Sequence, residues 1–291
     1  MFDHPLFRPP AEADSLILQV DQGCPYNRCT FCGMYRGVKF RRADLAEIER
    51  LVRRAGRRDP EARRIFLADG DVMRRPFDEL RAILDLLSGA FPRLARVNVY
   101  ATGRGIAAKT DAELRALRER KLQILYLGLE SGDDDVLRQV RKGEDAATMV
   151  GAVARAQAAG LRASVMILLG LGGQARTAEH AAATADALNR MQPRLLSALR
   201  VIPVPGTELH ADAAAGRFQE LTEHGAVAEL RAMIERLDLH NTVFRANHAS
   251  NVVPLEARLP RGKPDLLAGL NALLASGRLD RLSPGPPPPW L

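Results

Sequence analysis

Six short apolar runs alternate with amphipathic segments along this chain, and this alternation limits the folds that it can adopt. The runs are rich in Ile, Val, Leu and Tyr with little polar alternation, which is typical of parallel strands buried on both faces. With the helical periodicity between them, they predict an α/β fold of six βα units joined by right-handed crossovers. Thr110 and Thr222 are suitable N-cap residues for two of the helices. The predicted strands are residues 16–20, 64–68, 97–101, 124–129, 163–169 and 196–202, and the predicted helices are residues 43–57, 76–90, 110–120, 146–159, 177–191 and 221–237.

Two closures of such a parallel sheet are open to the chain. The six units can form an open doubly wound sheet or a partial barrel, and in both folds ligands bind beyond the carboxyl ends of the strands. The unusual residues of the sequence fall at these positions, because cysteines follow the first run and Gly, Asp, Thr or Pro motifs follow the others. The expected organisation is an N-terminal segment (1–14), a domain of βα units (15–240), a small C-terminal extension (241–283) and a Pro-rich tail (284–291).

Three cysteines, the only ones in the sequence, follow the first run: Cys24, Cys29 and Cys32. Three clustered thiolates can hold three irons of a [4Fe–4S] cluster and leave the fourth iron open for chemistry. A structural zinc site usually has a fourth Cys or His ligand from a second paired knuckle, which the sequence lacks. A disulfide would leave one thiol over, and it suits an oxidising compartment. The cluster is therefore the favoured interpretation, with zinc or a redox pair as the alternatives.

Composition is that of a globular domain with a substantial core: 46% of the 291 residues are hydrophobic and 26% are charged. There is no apolar run of membrane-spanning length, and the first residues do not resemble a signal peptide, so we expect a cytoplasmic protein without membrane contact. The net charge of +7 permits a nucleic-acid partner. Basic clusters such as Arg53-Arg54 and Arg74-Arg75 are mixed with acids, however, and we interpret them as solvated surface. Nucleic acid is thus possible but not favoured.

The cysteine stretch resembles the radical S-adenosylmethionine (SAM) superfamily, whose members carry Cys-x3-Cys-x2-Cys with an aromatic residue before the third cysteine. Phe31 takes the aromatic position and, by the resemblance, is a candidate cofactor contact. Four residues separate Cys24 from Cys29, so the motif is a Cys-x4-Cys-x2-Cys variant that indicates a side branch. The resemblance covers about residues 15–210. It implies a partial (β/α)6 barrel of the TIM type, a [4Fe–4S] cluster on the three cysteines, and SAM as the second cofactor.

The motif after the second predicted strand is Asp69-Gly70-Asp71. Alone it would be an ordinary turn, since Asp and Gly favour turns. By the resemblance, this loop binds the amino group of SAM, because a carboxylate suits an ammonium and glycine permits close approach of the backbone. Thr102, after the third strand, is a further candidate cofactor contact.

The fourth strand ends in Gly128-Leu-Glu130-Ser131-Gly132. This stretch resembles the branch that contains the tRNA methylthiotransferases and the oxygen-independent coproporphyrinogen oxidases. There the corresponding residues contact the ribose and carboxylate of SAM, which makes Glu130 and Ser131 candidate contacts. Lys142 stands where an Arg of that branch pairs with the SAM carboxylate, so a point charge replaces a bidentate group. The alternative for Glu130 is an acidic residue at the start of a helix, and the alternative for Lys142 is a solvated surface lysine.

The fifth strand leads into Gly170-Leu-Gly172-Gly173, which also fits a dinucleotide-binding fingerprint. That motif expects an acid at the end of the next strand, and the next run ends without one. The resemblance instead implies a turn against which the SAM adenine lies, with Gly170 and Gly172 as contacts. Ile202 and Pro203, after the sixth strand, would flank the same adenine, or else they are simple core residues.

Candidates for substrate chemistry are fewer. Residues 245–254 are rich in hydrogen-bonding side chains, and we predict a substrate lid there, with His248 as the proton-transfer group. Tyr100 lies near a predicted strand end and could reach a substrate. His180 and His210 are interpreted as helix-surface or packing residues. A plain surface loop is the alternative for the lid.

The resemblance implies a reaction. An electron from reduced flavodoxin or ferredoxin would cleave SAM, and the resulting 5′-deoxyadenosyl radical would abstract hydrogen from a substrate. All cysteines are used for one cluster, so an auxiliary cluster is not expected. We predict a small-molecule substrate that undergoes oxidation, decarboxylation, rearrangement or C–C bond formation; whether the enzyme is an oxidoreductase, lyase or transferase stays open. The alternatives are radical modification of RNA or peptide, and a non-catalytic iron–sulfur or zinc protein.

Overall fold

A computed structural model describes residues 6–281 of the chain. The strands are β1 (Leu16–Gln19), β2 (Asp21–Gln22), β3 (Arg41–Arg42), β4 (Arg64–Ala68), β5 (Arg96–Ala101), β6 (Leu122–Glu130), β7 (Arg162–Leu169), β8 (Leu195–Arg200), β9 (Thr242–Arg245) and β10 (Glu256–Leu259). The α-helices are α1 (Leu45–Arg58), α2 (Phe77–Ala90), α3 (Gly103–Ala107), α4 (Asp111–Glu119), α5 (Asp134–Gln139), α6 (Ala146–Ala158), α7 (Thr177–Met191), α8 (Glu208–Ala214), α9 (Glu223–Arg236) and α10 (Lys263–Ala275).

The main sheet has eight strands in the order β1-β4-β5-β6-β7-β8-β9-β10, and β2 pairs with β3 separately. The strand order follows the chain order, as in a (β/α) barrel, and lacks the reversal that a doubly wound sheet requires. The predicted α/β fold of the partial-barrel class is therefore confirmed. The sheet contains two more strands than the six predicted, because β9 and β10 of the C-terminal extension join it.

All six predicted strands and all six predicted helices are present, with ends that differ by two residues at most. The predicted caps are confirmed as well. Thr110 accepts a hydrogen bond from the N–H of Glu113 and forms a capping box with it, and Thr222 accepts one from the N–H of Gly225. The sequence pattern missed the short helices α3, α5 and α8, which are too brief to show a period.

The chain divides into two compact units, each built from three separate segments. The first unit comprises Met1–Asn27, Gly37–Leu127 and Gly151–Ala163. The second unit comprises Arg28–Arg36, Gly128–Val150 and Ser164–Leu291. The domain bounds expected from the sequence stay a prediction, and the tail 284–291 lies outside the described residues.

In the first unit, β1, β4, β5 and β6 are parallel, and side chains alternate between the two faces of the sheet. One face is aliphatic and almost completely buried. The other face carries aromatic rings: Phe66 contacts Tyr100 edge-on at 5.0 Å between ring centroids, and Tyr126 at 5.8 Å. The first unit therefore contains an aromatic cluster on one face of its strands.

The N-terminal segment is anchored to the first unit by one buried carboxylate. Glu12, at the end of a 3-10 turn, is 1% exposed. It accepts hydrogen bonds from the Ser15 hydroxyl (2.5 Å), from the Asn98 side-chain amide (2.8 Å) and from the Tyr126 hydroxyl. These donors satisfy the buried charge, so the segment packs as part of the unit.

In the second unit, β7, β8 and β9 are parallel and β10 runs antiparallel to β9. Helix α9 packs between α7 and α10. Among residues 6–281 there is no helix with the length and apolar character that a membrane span requires.

Candidate functional site

All three cysteines lie in an irregular segment, residues 23–40, which we call the cysteine loop. Its two ends are joined by the antiparallel pairing of β2 with β3. Each cysteine is partly exposed, and none is in a disulfide. Within residues 6–281, no three Cys, His, Asp or Glu side chains are grouped as a metal site. The donor chemistry of the loop nevertheless fits a [4Fe–4S] cluster, since three soft thiolates are what such a cluster takes when one iron is left open.

Gly70 packs directly against Cys24 in the first unit. A Cβ atom built on Gly70 would lie 2.7 Å from the Cα of Cys24 and 2.8 Å from the carbonyl oxygen of Gly23, distances that no side chain tolerates. Asp69, which is buried, fixes the same contact, because its Oδ2 accepts hydrogen bonds from the N–H of Gly23 (3.2 Å) and from Gln19 Nε2 (2.7 Å). The loop after β4 is thus fastened to the residue that precedes the first cysteine.

Asp71 and Thr102, both predicted cofactor contacts, bind each other. The Thr102 hydroxyl donates to Asp71 Oδ2 at 2.6 Å, and the Thr102 N–H donates to Oδ1 at 3.2 Å. Thr102 also caps α3 by accepting from the N–H of Gly105. Both oxygens of Asp71 therefore accept hydrogen bonds within the protein, and Asp71 holds the loop after β5 in place. Direct contact of either residue with a cofactor stays a prediction.

Tyr100, a predicted catalytic residue, belongs to the aromatic cluster of the first unit. Burial is the main cause that raises its pKa, and the negative charges of Asp69 and Glu12 raise the pKa further. The phenol is consequently protonated at neutral pH. Tyr100 can donate a hydrogen bond or form a wall, but it cannot serve as a phenolate base.

In the second unit, the segment with Cys29 and Cys32 is held through Thr30. The Thr30 N–H donates to the Val140 carbonyl at 2.9 Å, and the Thr30 carbonyl accepts from the Leu209 N–H at 3.0 Å. Phe31 packs against an apolar cluster consisting of Val136, Val140, Leu171, Val201 and Leu209. These contacts fix the second half of the cysteine loop between the end of α5 and the start of α8.

Glu130 and Lys142, both predicted SAM contacts, form an ion pair with 3.0 Å between Oε1 and Nζ, and both side chains are nearly buried. Burial acts to lower the pKa of Lys142, but the charges of Glu130 and Cys29 outweigh it, so the pKa is raised and the ammonium stays charged. Glu130 has a positive φ of 62°, and its carboxylate lies 1.9 Å from where a Cβ on Gly128 would be. A side chain at position 128 would thus displace the Glu130 carboxylate from Lys142, and the pair places a cation beside the Cys29 segment.

Ser131, another predicted contact, is completely buried. Its Oγ lies 2.8 Å from His180 Nδ1 and accepts from the Asp133 N–H at 2.9 Å. His180 is also fully buried, so of its two interpretations packing is right and helix surface is wrong. Ser131 therefore links the loop after β6 to α7, and a direct contact of its hydroxyl with SAM stays a prediction.

The turn at Gly170 is bound by Glu229, a residue that the sequence analysis missed. Glu229 is buried and accepts from the Gly170 N–H (2.7 Å) and from the Thr177 hydroxyl (2.6 Å). In a dinucleotide-binding fold this amide would face phosphate, and here a protein carboxylate is bound instead. The signal for Glu229 is an acid on the buried stripe of α9.

The remaining adenine candidates lie around the same apolar cluster. Gly170 has a φ of +78°, and a Cβ on Gly172 would lie 3.2 Å from the carbonyl oxygen of Arg176, so both positions favour glycine. Pro203 is buried and Ile202 partly buried, directly after β8. These residues are chain neighbours of Leu171 and Val201, which belong to the apolar cluster that Phe31 contacts, and an adenine site there stays a prediction.

The predicted lid is the loop of the β9–β10 hairpin, and it folds onto the carboxyl end of β8. The Ser250 hydroxyl accepts from the Arg200 N–H at 3.2 Å, and Asn251 Nδ2 donates to the Ala198 carbonyl at 2.9 Å. His248 Nδ1 accepts from the Ser250 N–H at 3.1 Å, so its neutral ring carries the proton on Nε2. Burial lowers the pKa of His248. Its Nε2–H is thus a hydrogen-bond donor at neutral pH.

The buried His180 predicts a pH-dependent stability. Burial is the main cause that lowers its pKa from 6.5, so below about pH 6.5 the unfolded chain binds a proton that the folded chain does not. The free energy of unfolding should therefore decrease as the pH is lowered below about 6.5, by at most about 1.4 kcal/mol per pH unit from this group. Urea unfolding at pH 8 and pH 5.5 measures the loss. His180→Asn should lose less than the wild type, and equal losses would contradict the assignment.

Comparison with known proteins gives one family and several similar folds. Residues 18–185 match the family model described as the radical SAM superfamily. None of the curated proteins matches the sequence. Among solved structures, methylornithine synthase (PylB) superposes with a TM-score of 0.53 at 17% identity, over 89% of this chain and 81% of its own.

Two further structures have the same fold. The FeFe-hydrogenase maturase HydG from Carboxydothermus hydrogenoformans has a TM-score of 0.51 at 21% identity, over 88% of this chain. The radical SAM methyltransferase TsrM from Kitasatospora setae has a TM-score of 0.57 at 17% identity, over 69% of this chain. This chain spans only 56% of HydG and 39% of TsrM, so these likenesses concern the fold.

Proposed function

Because this chain belongs to the radical SAM superfamily, whose members use a [4Fe–4S] cluster and SAM, we propose that it cleaves SAM reductively and abstracts hydrogen from a small-molecule substrate. Cys24, Cys29 and Cys32 are the proposed cluster ligands, because they offer three thiolates and leave one iron open. When bound and reduced, the cluster supplies the electron that cleaves SAM to methionine and the 5′-deoxyadenosyl radical. Flavodoxin or ferredoxin is the proposed electron donor.

The main support for this proposal is the contact of Gly70 with Cys24. If the loop after β4 binds the amino group of SAM, as the resemblance implies, it would lie close to a cysteine that would hold the cluster. In support of this, the Asp69-Gly70 backbone packs against Cys24 in the first unit, held by the hydrogen bond from the Gly23 N–H to Asp69.

Lys142 is the proposed partner of the SAM carboxylate. An ammonium has three N–H donors, and the hydrogen bond to Glu130 uses one of them. Lys142 can therefore bind a second anionic group while it keeps its hydrogen bond to Glu130. Glu130 in turn offsets the charge of the buried ammonium when the site holds no SAM.

Removal of the Lys142 ammonium should weaken SAM binding. We expect Lys142→Met to lower SAM affinity about tenfold to a hundredfold, since a hydrogen bond to a charged group contributes roughly 1.5–3 kcal/mol. Calorimetry on the cluster-loaded protein measures the affinity. Arg141→Met is the control, because Arg141 is exposed and pairs with Glu208. Equal SAM affinity in Lys142→Met and the wild type would remove Lys142 from the site.

One candidate substrate contact is proposed in each unit, and each is described within its own unit. Tyr100 contributes an aromatic wall and a phenol donor, because its raised pKa keeps it protonated. His248 contributes an Nε2–H donor at the carboxyl end of β8. Within the first unit, an aromatic wall with few polar donors would exclude water, which a carbon radical in transit requires.

The test is anaerobic purification, cluster reconstitution with iron and sulfide, reduction and incubation with SAM. We expect a brown protein with about four irons per chain, and formation of 5′-deoxyadenosine and methionine detected by mass spectrometry. A colourless protein with tightly bound zinc would overturn the proposal. A cluster that forms but does not cleave SAM would leave the non-catalytic iron–sulfur alternative.

A further inference from the structure

Arg75 is a buried arginine at the base of the cysteine loop. Its side chain is 1% exposed, although the sequence pattern assigned Arg74-Arg75 to solvated surface, which is wrong for Arg75. Nη2 donates to the Val20 carbonyl (2.8 Å), to the Ala43 carbonyl (2.8 Å) and to Asp21 Oδ1 (2.7 Å). One guanidinium thus contacts the chain both before β2 and after β3.

The pairing of β2 with β3 needs this support. Each of these strands is two residues long, and so short an antiparallel pair is not stable alone. Arg75 adds hydrogen bonds to both chain ends at once, with the Ala43 N–H to the Val20 carbonyl (3.3 Å) beside them. Cys24 follows β2 by two residues, so its position depends on this base.

The contact needs both the positive charge of Arg75 and the planar shape of its guanidinium. Burial raises the pKa of Asp21, and Arg75 opposes that shift by charge and hydrogen bonding. Nη1 of Arg75 also donates to Glu79 at 2.8 Å, so two carboxylates balance the buried cation. A planar guanidinium can reach carbonyls and carboxylates on several sides, and a lysine ammonium cannot do so from one stem.

We propose that Arg75 is a positioning residue that fixes the base of the cysteine loop and thereby keeps Cys24 in place to hold the cluster. The second part rests on the proposed function, and the first part does not. Arg75 itself contacts neither a cysteine side chain nor a predicted SAM contact in the hydrogen bonds described above. Its effect is therefore expected on loop order and cluster retention.

Two measurements test the proposal on the full chain. In protein without a cluster, hydrogen exchange of residues 20–24 and 41–44 should be at least tenfold faster in Arg75→Met than in the wild type. In reconstituted protein, iron release to a chelator should accelerate at least tenfold in Arg75→Met. Both rates in Arg75→Lys should lie between those of the wild type and Arg75→Met, because lysine keeps the positive charge but lacks the planar guanidinium.

Lys109→Met is the matched control. Lys109 is also a buried cation of the first unit, and it donates to the Met73 carbonyl at 2.8 Å without contact to the cysteine loop in its described hydrogen bonds. Its exchange over residues 20–24 and 41–44 and its iron release should equal those of the wild type. Unchanged exchange in Arg75→Met, or equal acceleration in Lys109→Met, would overturn the proposal.

The outcomes separate the two proposals. If the wild type binds no cluster, the proposed function fails, and hydrogen exchange still decides whether Arg75 holds the loop. If Arg75→Met does not fold, the comparison of Arg75→Lys with Lys109→Met decides, since the lysine variant keeps the buried charge. If residues 20–24 and 41–44 of Arg75→Lys then exchanged hydrogen at the wild-type rate, the result would count against the proposal.

Discussion

Cys29→Ala should fold as the wild type does and yet bind no [4Fe–4S] cluster. Its neighbour Thr30 holds the segment through backbone hydrogen bonds to Val140 and Leu209, which the substitution leaves intact. Two remaining thiolates cannot replace three cluster ligands, so we expect loss of the visible iron–sulfur absorption and of 5′-deoxyadenosine formation. Iron analysis and product detection after anaerobic reconstitution measure both.

Met34→Ala is the control for this experiment. Met34 lies in the same loop and is exposed, and its neutral thioether is not one of the three thiolates proposed to hold the cluster. Iron content and SAM cleavage should match those of the wild type. An anaerobically reconstituted Cys29→Ala protein that still forms 5′-deoxyadenosine would show that Cys29 is not an essential ligand.

Gly70→Ala should have the second-largest effect. The added Cβ would meet the Cα of Cys24 at 2.7 Å and the Gly23 carbonyl oxygen at 2.8 Å, and backbone atoms cannot rotate away. The loop after β4 or the start of the cysteine loop must move, at a cost of about 1–3 kcal/mol of stability. We expect SAM cleavage to fall at least tenfold, measured as the initial rate of 5′-deoxyadenosine formation.

Gly89→Ala is the matched control, because Gly89 lies in α2 of the same unit and nothing is within 4 Å of its added Cβ. It should raise stability by about 0.4–1 kcal/mol without changing the rate. A Gly70→Ala variant with the wild-type rate would mean that the contact with Cys24 has no part in the reaction.

The fold was predictable from the sequence where burial is periodic. Continuous Ile, Val and Leu runs such as β4 identify parallel strands, because both faces of such strands are buried. The membership in the radical SAM superfamily and the α/β partial-barrel class are confirmed. Strands β9 and β10 were not predicted, because each is only four residues long and the two flank the segment that we interpreted as a polar lid.

The site was predictable in position and less so in detail. The motifs do follow the strand ends, but the hydrogen-bond partners of Asp71 and Ser131 come from residues 31 and 49 positions away. Such pairs leave no local pattern. The burial of Arg75 was missed for the same reason. Its guanidinium binds the carbonyls of Val20 and Ala43, and nothing in the sequence at these two positions predicts a bound arginine.

The interleaving of the two units limits how this chain can be cut. Each unit draws on three stretches of sequence, and Cys24 belongs to the first unit whereas Cys29 and Cys32 belong to the second. No single cleavage point yields a fragment containing one complete unit and none of the other. Neither unit can therefore be expressed alone from one continuous stretch of the gene.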